Sequence, residues 1–212
     1  MKTAIFSDVH ANELALDTFL EFARPRVEGF VCLGDTVGYG PKSNECIEKI
    51  MELPNLISVL GNHEEMFLNR IPIESEIPLV QQFYEISSRD FRHAEYLTSI
   101  PESASFERFT CTHTLENRNI YPDSTVEVQE NYLIGHSHHQ YILNSNIYRV
   151  INPGSVGQNR REIDKVDFAI YDHSDSSFEF YSLPYDVDLY IQQLRDFGYP
   201  DLCVNYYFDK KF

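Results

Sequence analysis

The sequence predicts an α/β fold that opens as a βαβ unit, and three observations carry the prediction. Apolar runs at residues 3–6 and 29–33 bracket a segment in which Leu16, Phe19, Leu20 and Ala23 fall at i, i+3, i+4 and i+7, one face of a helix. The scheme then repeats, with Ile47, Ile50 and Met51 on a helix before an apolar run at 56–60. Past Pro101 the pattern changes to short strands separated by turn residues. A βαβ opening implies a parallel pair joined by a right-handed crossover.

Taken in order, residues 2–7 read as a buried strand ending at Ser7-Asp8, and 12–24 as a helix that Pro25 stops. The next strand, 29–33, ends abruptly at Gly34-Asp35, which puts Asp35 at a sharp turn, offered rather than buried. Ser43 or Asn44 caps the second helix, Pro54 ends it, and 56–60 delivers Gly61-Asn62-His63. From 64 to 100 the pattern is mostly helical, interrupted by Pro72 and Pro78, with Leu79, Val80, Phe83 and Ile86 on one buried face. Arg70, Arg89, Arg92 and His93 in that stretch read as a solvated face.

Strands are expected at 105–111 and 131–135, and a hairpin at 141–143 and 147–151 around Asn144-Ser145-Asn146. A second pair, 167–171 and 178–181, flanks a turn at 173–177. A helical tail follows with Val187, Tyr190, Ile191 and Leu194 on one face, closing at Gly198-Tyr199-Pro200. With no low-complexity linker and no repeat beyond the two βα units, the expectation is one domain over residues 1–212.

Seventeen basic against 33 acidic residues give a net charge of −16. That excludes a general binder of long nucleic acid or of anionic membranes, which needs a basic face. It leaves room for a phosphate substrate, because bound cations reverse the field locally. Cys32, Cys46, Cys111 and Cys203 show no metal spacing and read as small buried side chains in a reducing compartment. No stretch approaches the roughly 18 apolar residues that span a bilayer, and the chain opens directly into a strand. Cytoplasmic is the expected location. With 14 Tyr and 15 Phe there are aromatics enough for a homo-oligomer interface.

Metal-type residues stand at the end of five apolar runs: Asp8-Val9-His10, Gly34-Asp35, Gly61-Asn62-His63-Glu64, Thr112-His113-Thr114 and Gly135-His136-Ser137-His138. Open α/β sheets place their sites at the carboxyl ends of strands, so these loops are expected to converge on one edge. Asp35, with two oxygens, is the natural bridge between two ions. Carboxylate, imidazole and one amide oxygen, with no thiolate, suit Mn²⁺, Fe²⁺ or Zn²⁺. Two such ions about 3.5–4 Å apart can share a water, lower its pKa and hold the attacking and leaving oxygens of a phosphoryl group in line.

In this order and at these strand ends, the five motifs resemble those of the calcineurin-like metallophosphoesterases, and within them the compact bacterial and archaeal phosphodiesterase branch. Gly38-Tyr39-Gly40-Pro41 and Asn152-Pro153-Gly154-Ser155-Val156-Gly157-Gln158 extend the likeness, which runs from residue 1 to about residue 200. The departures are Thr114 where Gly is frequent, Ser137 for the commoner Thr, and Asn159 where Pro is common. None removes a ligand. The resemblance implies a four-layer α-β-β-α sandwich with two mixed sheets and the site at one edge. It implies that Asp8, His10 and His138 hold one divalent ion, that Asn62, His113 and His136 hold the other, and that Asp35 serves both. Mn²⁺ is the first expectation, with Fe, Zn and Ni open. His63 is the residue expected in catalysis, protonating the leaving oxygen or hydrogen-bonding its developing charge. The rival reading has His63 orienting a carboxylate from behind.

The expected function is a metal-dependent phosphodiesterase for a small or nucleotide-type substrate. Alternatives are a phosphomonoesterase of the protein phosphatase or dinucleoside polyphosphate hydrolase type, a non-catalytic metal-binding scaffold, and a metal sensor. Outside the motifs, His93, His139 and His173 read as surface or supporting residues, with His139 close to the mouth of the site. The stretch 152–157 reads first as a tight turn packed near the site. Arg160 and Arg161 beyond it are candidates to meet substrate phosphate through forked hydrogen bonds.

Overall fold

In the computed structural model, which describes residues 1–211, the first apolar run becomes β1 (Lys2–Phe6) and the periodic segment becomes α1 (Glu13–Ala23). Asn12 caps α1 by accepting the Ala15 N–H at 3.1 Å. β2 (Gly29–Cys32), α2 (Ser43–Met51) and β3 (Leu56–Ser58) complete the repeat, and β1, β2 and β3 pair in parallel. Phe212, the last residue of the expected domain, lies outside the described residues.

The helical stretch resolves into α3 (Asn62–Phe67), α4 (Pro78–Ser87) and α5 (Ala94–Ser99). Strands follow as β4 (Ser103–Phe106), β5 (Phe109–Thr112), β6 (Asn131–Leu133), β7 (Gln140–Ser145), β8 (Tyr148–Pro153), β9 (Lys165–Asp172) and β10 (Ser177–Pro184). Two helices close the chain, α6 (Val187–Asp196) and α7 (Asp201–Asp209).

The strands form two mixed five-stranded sheets, ordered β10-β9-β1-β2-β3 and β4-β5-β6-β8-β7. Period-two alternation gives each sheet an inner face, and the inner faces pack together through Ile5, Val31 and Leu33 on one side and Phe109, Cys111, Leu133 and Ile151 on the other. The outer face of the first sheet, with Phe6, Phe30 and Phe168, is covered by α1, α4, α6 and α7. Over the outer face of the second sheet the covering layer is the irregular segment 115–128, whose Leu115, Ile120 and Val126 pack on Tyr141 and Val150. All four cysteines are buried and free. Among the described residues, no helix is long and apolar enough to cross a membrane.

Several local expectations shift. The strand expected at 105–111 is a hairpin, β4 and β5, that turns at Glu107-Arg108 with Glu107 at φ 51°. Neither residue is a turn former, so the sequence carried no signal there. Neither Ser43 nor Asn44 caps α2. Lys42 stands at the cap without a side-chain bond, while Ser43 Oγ donates to the Ser87 carbonyl and the Asn44 amide to that of Asp90, tying α2 to the end of α4. Met51 is 49% exposed rather than on the buried face. Pro78 starts α4 instead of interrupting a helix, as a proline at the first helical position can. The turn of the β7–β8 hairpin lies one to two residues later than expected, with Asn146 at φ 55°. Past Pro200 the chain makes a further helix, α7, which buries Cys203, Val204 and Tyr207.

Candidate metal centre

All five motif loops leave the sheets at one edge, where β1, β2 and β3 of one sheet and β5 and β6 of the other end. The eight residues singled out in the sequence come together there. Asp8, His10 and His138 present ligand atoms within 4.8 Å of one another, as do Asp35, His113 and His136, and also His10, Asp35 and His63. The last group brings His63 within the same reach as the expected ligands. Asp35 is only 1% exposed and Asp8 and His10 are fully buried. This corrects the open turn expected for Asp35, because the neighbouring loops close over it.

Backbone strain is concentrated here. Asp8, His10, Asp35, His136 and His138 all have positive φ, between 49° and 69°. For a residue with a Cβ this region costs about 1 kcal/mol or more and persists where the surroundings impose it. Gly61 illustrates the crowding: a Cβ there would lie 2.5 Å from the Asp35 nitrogen and overlap Asp35 Oδ1.

The hydrogen bonds set the tautomers. The Nδ1–H groups of His10, His113 and His138 donate to the carbonyls of Val37 (3.3 Å), Leu33 (2.7 Å) and Gln158 (2.7 Å). A carbonyl only accepts, so each neutral ring carries its proton on Nδ1 and presents a lone pair at Nε2. His10 Nε2 then faces His138 Nε2 at 3.1 Å, and Asp8 Oδ1 lies 3.4 Å from the latter. On the other side His113 Nε2 faces Asp35 Oδ2 at 3.1 Å and Asn62 Oδ1 at 3.1 Å, and His136 Nδ1 is 2.9 Å from the same amide oxygen. Lone pairs and carboxylate oxygens aimed at each other make a donor set that divalent cations fit.

Electrostatics agree with that fit. Burial holds His10 and His138 well below the ordinary imidazole value, with His63 and His10 respectively adding to it. Burial and the neighbouring His113 push His136 down to about 4. These are neutral, ligand-form imidazoles. Burial opposes charge on His113 as well, but Asp35 and Asp8 outweigh it and raise it to about 10. Burial also raises Asp8 to about 7, whereas His113 and His63 overcome burial at Asp35 and keep it well below the carboxylate range. The site is thus built around positive charge shared between two carboxylates.

His63 is buried and burial lowers its pKa, with Asp35 working against the shift. Its backbone N–H donates to Asp35 Oδ1 at 2.9 Å, and its ring packs on Tyr39 and His10 with centroids 4.9 and 4.7 Å away. Two clefts open from the centre and share Asn62, Glu76 and His136. One of 280 Å³ is lined by Asp35, His63, His138, Tyr39, Tyr121 and Arg160. The other, of 470 Å³, is lined by His113, Thr112, Thr114, Glu65 and Glu102.

The remaining candidates separate. In the stretch 152–157, Asn152 and Pro153 end β8 and the turn begins at Gly154; all six residues are buried and pack behind the site. His93 pairs with Glu48 at 3.1 Å, and His173 lies between Thr3 and Glu107, both away from the centre. His139 bonds the Ser137 carbonyl and packs edge-on to Tyr121, which lines the smaller cleft. Arg160 lines that cleft too.

Sequence reasoning gave Glu64 no role, yet its buried carboxylate accepts four backbone N–H groups, from Asp35, Thr36, Val37 and Gly61. The signal was present: a Glu three residues after Gly61 can reach back to the start of a helix. Tyr207 was missed as well, because α7 was; its hydroxyl accepts from the Gln158 amide at 3.3 Å behind His138.

Residues 1–176 match the calcineurin-like phosphoesterase superfamily domain. An uncharacterized protein of Methanocaldococcus jannaschii is 30% identical over 215 residues, covering 87% of this chain and 88% of its own. Among solved structures, a metallophosphoesterase from Sphaerobacter thermophilus superposes with a TM-score of 0.80 at 26% identity and covers 99% of both chains. A hypothetical protein from Pyrococcus horikoshii shares the fold, with a TM-score of 0.84 at 18% identity over 96% of both chains.

Proposed function

The chain belongs to the calcineurin-like phosphoesterase superfamily of metal-dependent phosphate-ester hydrolases, and on that premise we propose that it is a phosphodiesterase acting on a small or nucleotide-type diester at a two-metal site. The observation that carries this reading is the position of Asp35 Oδ2, 3.1 Å from His113 Nε2 and 3.9 Å from His10 Nε2. One carboxylate oxygen faces both sets of donors. Asp8, His10 and His138 would hold one ion with Asp35, and Asn62, His113 and His136 the other.

Divalent ions bound there supply charge stabilisation for the phosphoryl oxygens and lower the pKa of water. Mn²⁺ is the ion we favour for this set of oxygen and imidazole donors, with Fe, Zn and Ni as alternatives. The chain's own residues do the rest. Glu64 and Gly61 fix the Asp35 loop against the start of α3, and α3 aims Asn62 and His63 into the centre. His63 hydrogen-bonds or protonates the leaving oxygen, the work of an imidazole placed against the reacting group.

Two features favour a diester. The clefts on either side of Asn62 and His136 give a place to each of two ester arms. Glu65 and Glu102 beside the larger cleft and Glu76, which lines both, together with the net charge of −16, oppose substrates carrying further negative charge, long nucleic acid included. The four buried, free cysteines suit a reducing, cytoplasmic setting.

The test is to strip metal, add back Mn²⁺, and measure hydrolysis of bis-p-nitrophenyl phosphate beside p-nitrophenyl phosphate. Faster, metal-dependent turnover of the diester is the expected result. Turnover of the monoester alone would replace the reading with a phosphomonoesterase. Turnover of neither with metal bound would return the scaffold.

A further inference from the structure

Arg160 is the first exposed residue after a buried block, 151–159, that is fastened to the Asp8 loop. The Val156 and Gly157 N–H groups donate to the carbonyls of Ser7 and Asp8, both at 3.0 Å. Ser155 Oγ donates to the Asp8 carbonyl at 2.8 Å, and the Asn12 amide to that of Gly157 at 2.9 Å. The Gln158 carbonyl receives the His138 ring N–H at 2.7 Å. The backbone that carries Arg160 is therefore held in register with two of the candidate ligands.

From that base its side chain lines the smaller cleft together with Asp35, His63, Glu76, His136 and His138. Among the described residues lining the two clefts, Arg160 is the single Lys or Arg. No described carboxylate lies within ion-pair distance of its guanidinium, in a chain where acidic residues outnumber basic ones 33 to 17. Its charge acts on Asp8, His63 and His136. Arg161 differs, since it lines neither cleft and its charge acts on Asp167.

An unpaired guanidinium is a planar fork of donors that matches two oxygens of a phosphate. We propose that Arg160, and not Arg161, is the phosphate-binding cation of the site, receiving phosphoryl oxygens of a phosphate ester that lies in the smaller cleft against the metal centre. The inference rests on the phosphoesterase reading above and narrows it. Arg160 touches substrate in the bound state, so its removal acts first on KM and less on kcat.

The experiment titrates inorganic phosphate into Mn²⁺-loaded wild type, Arg160→Ala and Arg161→Ala by calorimetry, with metal content measured on each. KM and kcat for bis-p-nitrophenyl phosphate and p-nitrophenyl phosphate are read in parallel. Arg160→Ala should weaken phosphate binding and raise KM roughly tenfold or more, the scale of losing a forked charge-assisted pair, with metal content unchanged. Arg161→Ala should stay within about twofold of wild type. Phosphate affinity and KM within about twofold of wild type in Arg160→Ala would overturn the proposal, and so would an equal loss in both variants, which would assign the effect to net charge. If wild type turns over neither ester, the function proposed above fails, and the phosphate titration still decides the role of Arg160.

Discussion

The Glu64 carboxylate accepts the backbone N–H of Asp35 at 2.8 Å, and with the same two oxygens it takes the N–H groups of Thr36, Val37 and Gly61. One buried side chain thereby locks the loop after β2 to the start of α3, so that Asp35, Asn62 and His63 move as a unit. A carboxylate accepting several N–H bonds suits a full charge, although burial and Asp35 raise its pKa.

Glu64→Gln puts an amide NH₂ where an N–H must be received. A buried donor left unmet costs roughly 2–3 kcal/mol, a Tm drop on the order of 5–10 °C for a chain of this size. Calorimetric melting checks the first effect and Mn²⁺ titration the second, a weaker metal affinity because Asp35 is no longer held. A variant that melts and binds metal like wild type would show that the Asp35 loop needs no such anchor.

His63→Ala separates catalysis from ligation. The expected result is a turnover rate lower by about 10²–10⁴ with metal content intact by elemental analysis. Because His63 stands within 4.8 Å of His10 and Asp35 donor atoms, the rival outcome is informative: loss of bound metal in step with activity would make it a ligand or an orienting residue.

Metal should stabilise the fold. The lone pairs of His10 and His138 face each other at 3.1 Å, and a cation between such donors binds the folded chain and not the unfolded one. At about 100 times Kd such binding adds roughly 2.7 kcal/mol, or a Tm higher by about 5–10 °C. Melting with Mn²⁺ and with a chelator measures the difference; equal Tm values would mean that the donors bind no ion.

Asp167 gives a pH signature away from the centre. It is buried under the Gly154 turn, one of its carboxylate oxygens lacks a partner among the described residues, and burial raises its pKa, with hydrogen bonds from Ser182 and Asn159 opposing. The folded chain thus holds this proton more tightly than the unfolded one. Stability falls as pH rises from the ordinary carboxylate range through the raised value. Asp167→Asn should therefore raise Tm by about 2 °C or more at pH 7 and bring less gain at pH 4. A lower Tm at pH 7 would show that the charge is favourable where it stands.

Much of the centre could be read from the chain because ligand types at the ends of apolar runs are a local pattern. Asp8, Asp35 and Asn62 stand two, three and four residues past the ends of β1, β2 and β3, and sheet geometry brings such ends together. α1 was legible for the same reason, with a 3.6-residue stripe and a stopping Pro25, although its cap at Asn12 was not read from the chain. What stayed hidden depends on partners distant in sequence. The four bonds of Glu64 need the Asp35 loop folded over α3, and the burial of Asp35 needs His113, 78 residues on in the chain, to close on it. The β4–β5 turn at Glu107-Arg108 lacks Gly or Asn, and α7 carries only a weak apolar stripe before Tyr207, so neither announced itself.

The most direct test of the two-metal claim is to titrate Mn²⁺ into metal-stripped protein while following both bound metal and hydrolysis of bis-p-nitrophenyl phosphate. Turnover should rise until about two ions are bound per chain, as two donor sets sharing Asp35 require. Full activity at one bound ion, or turnover independent of metal, would contradict it.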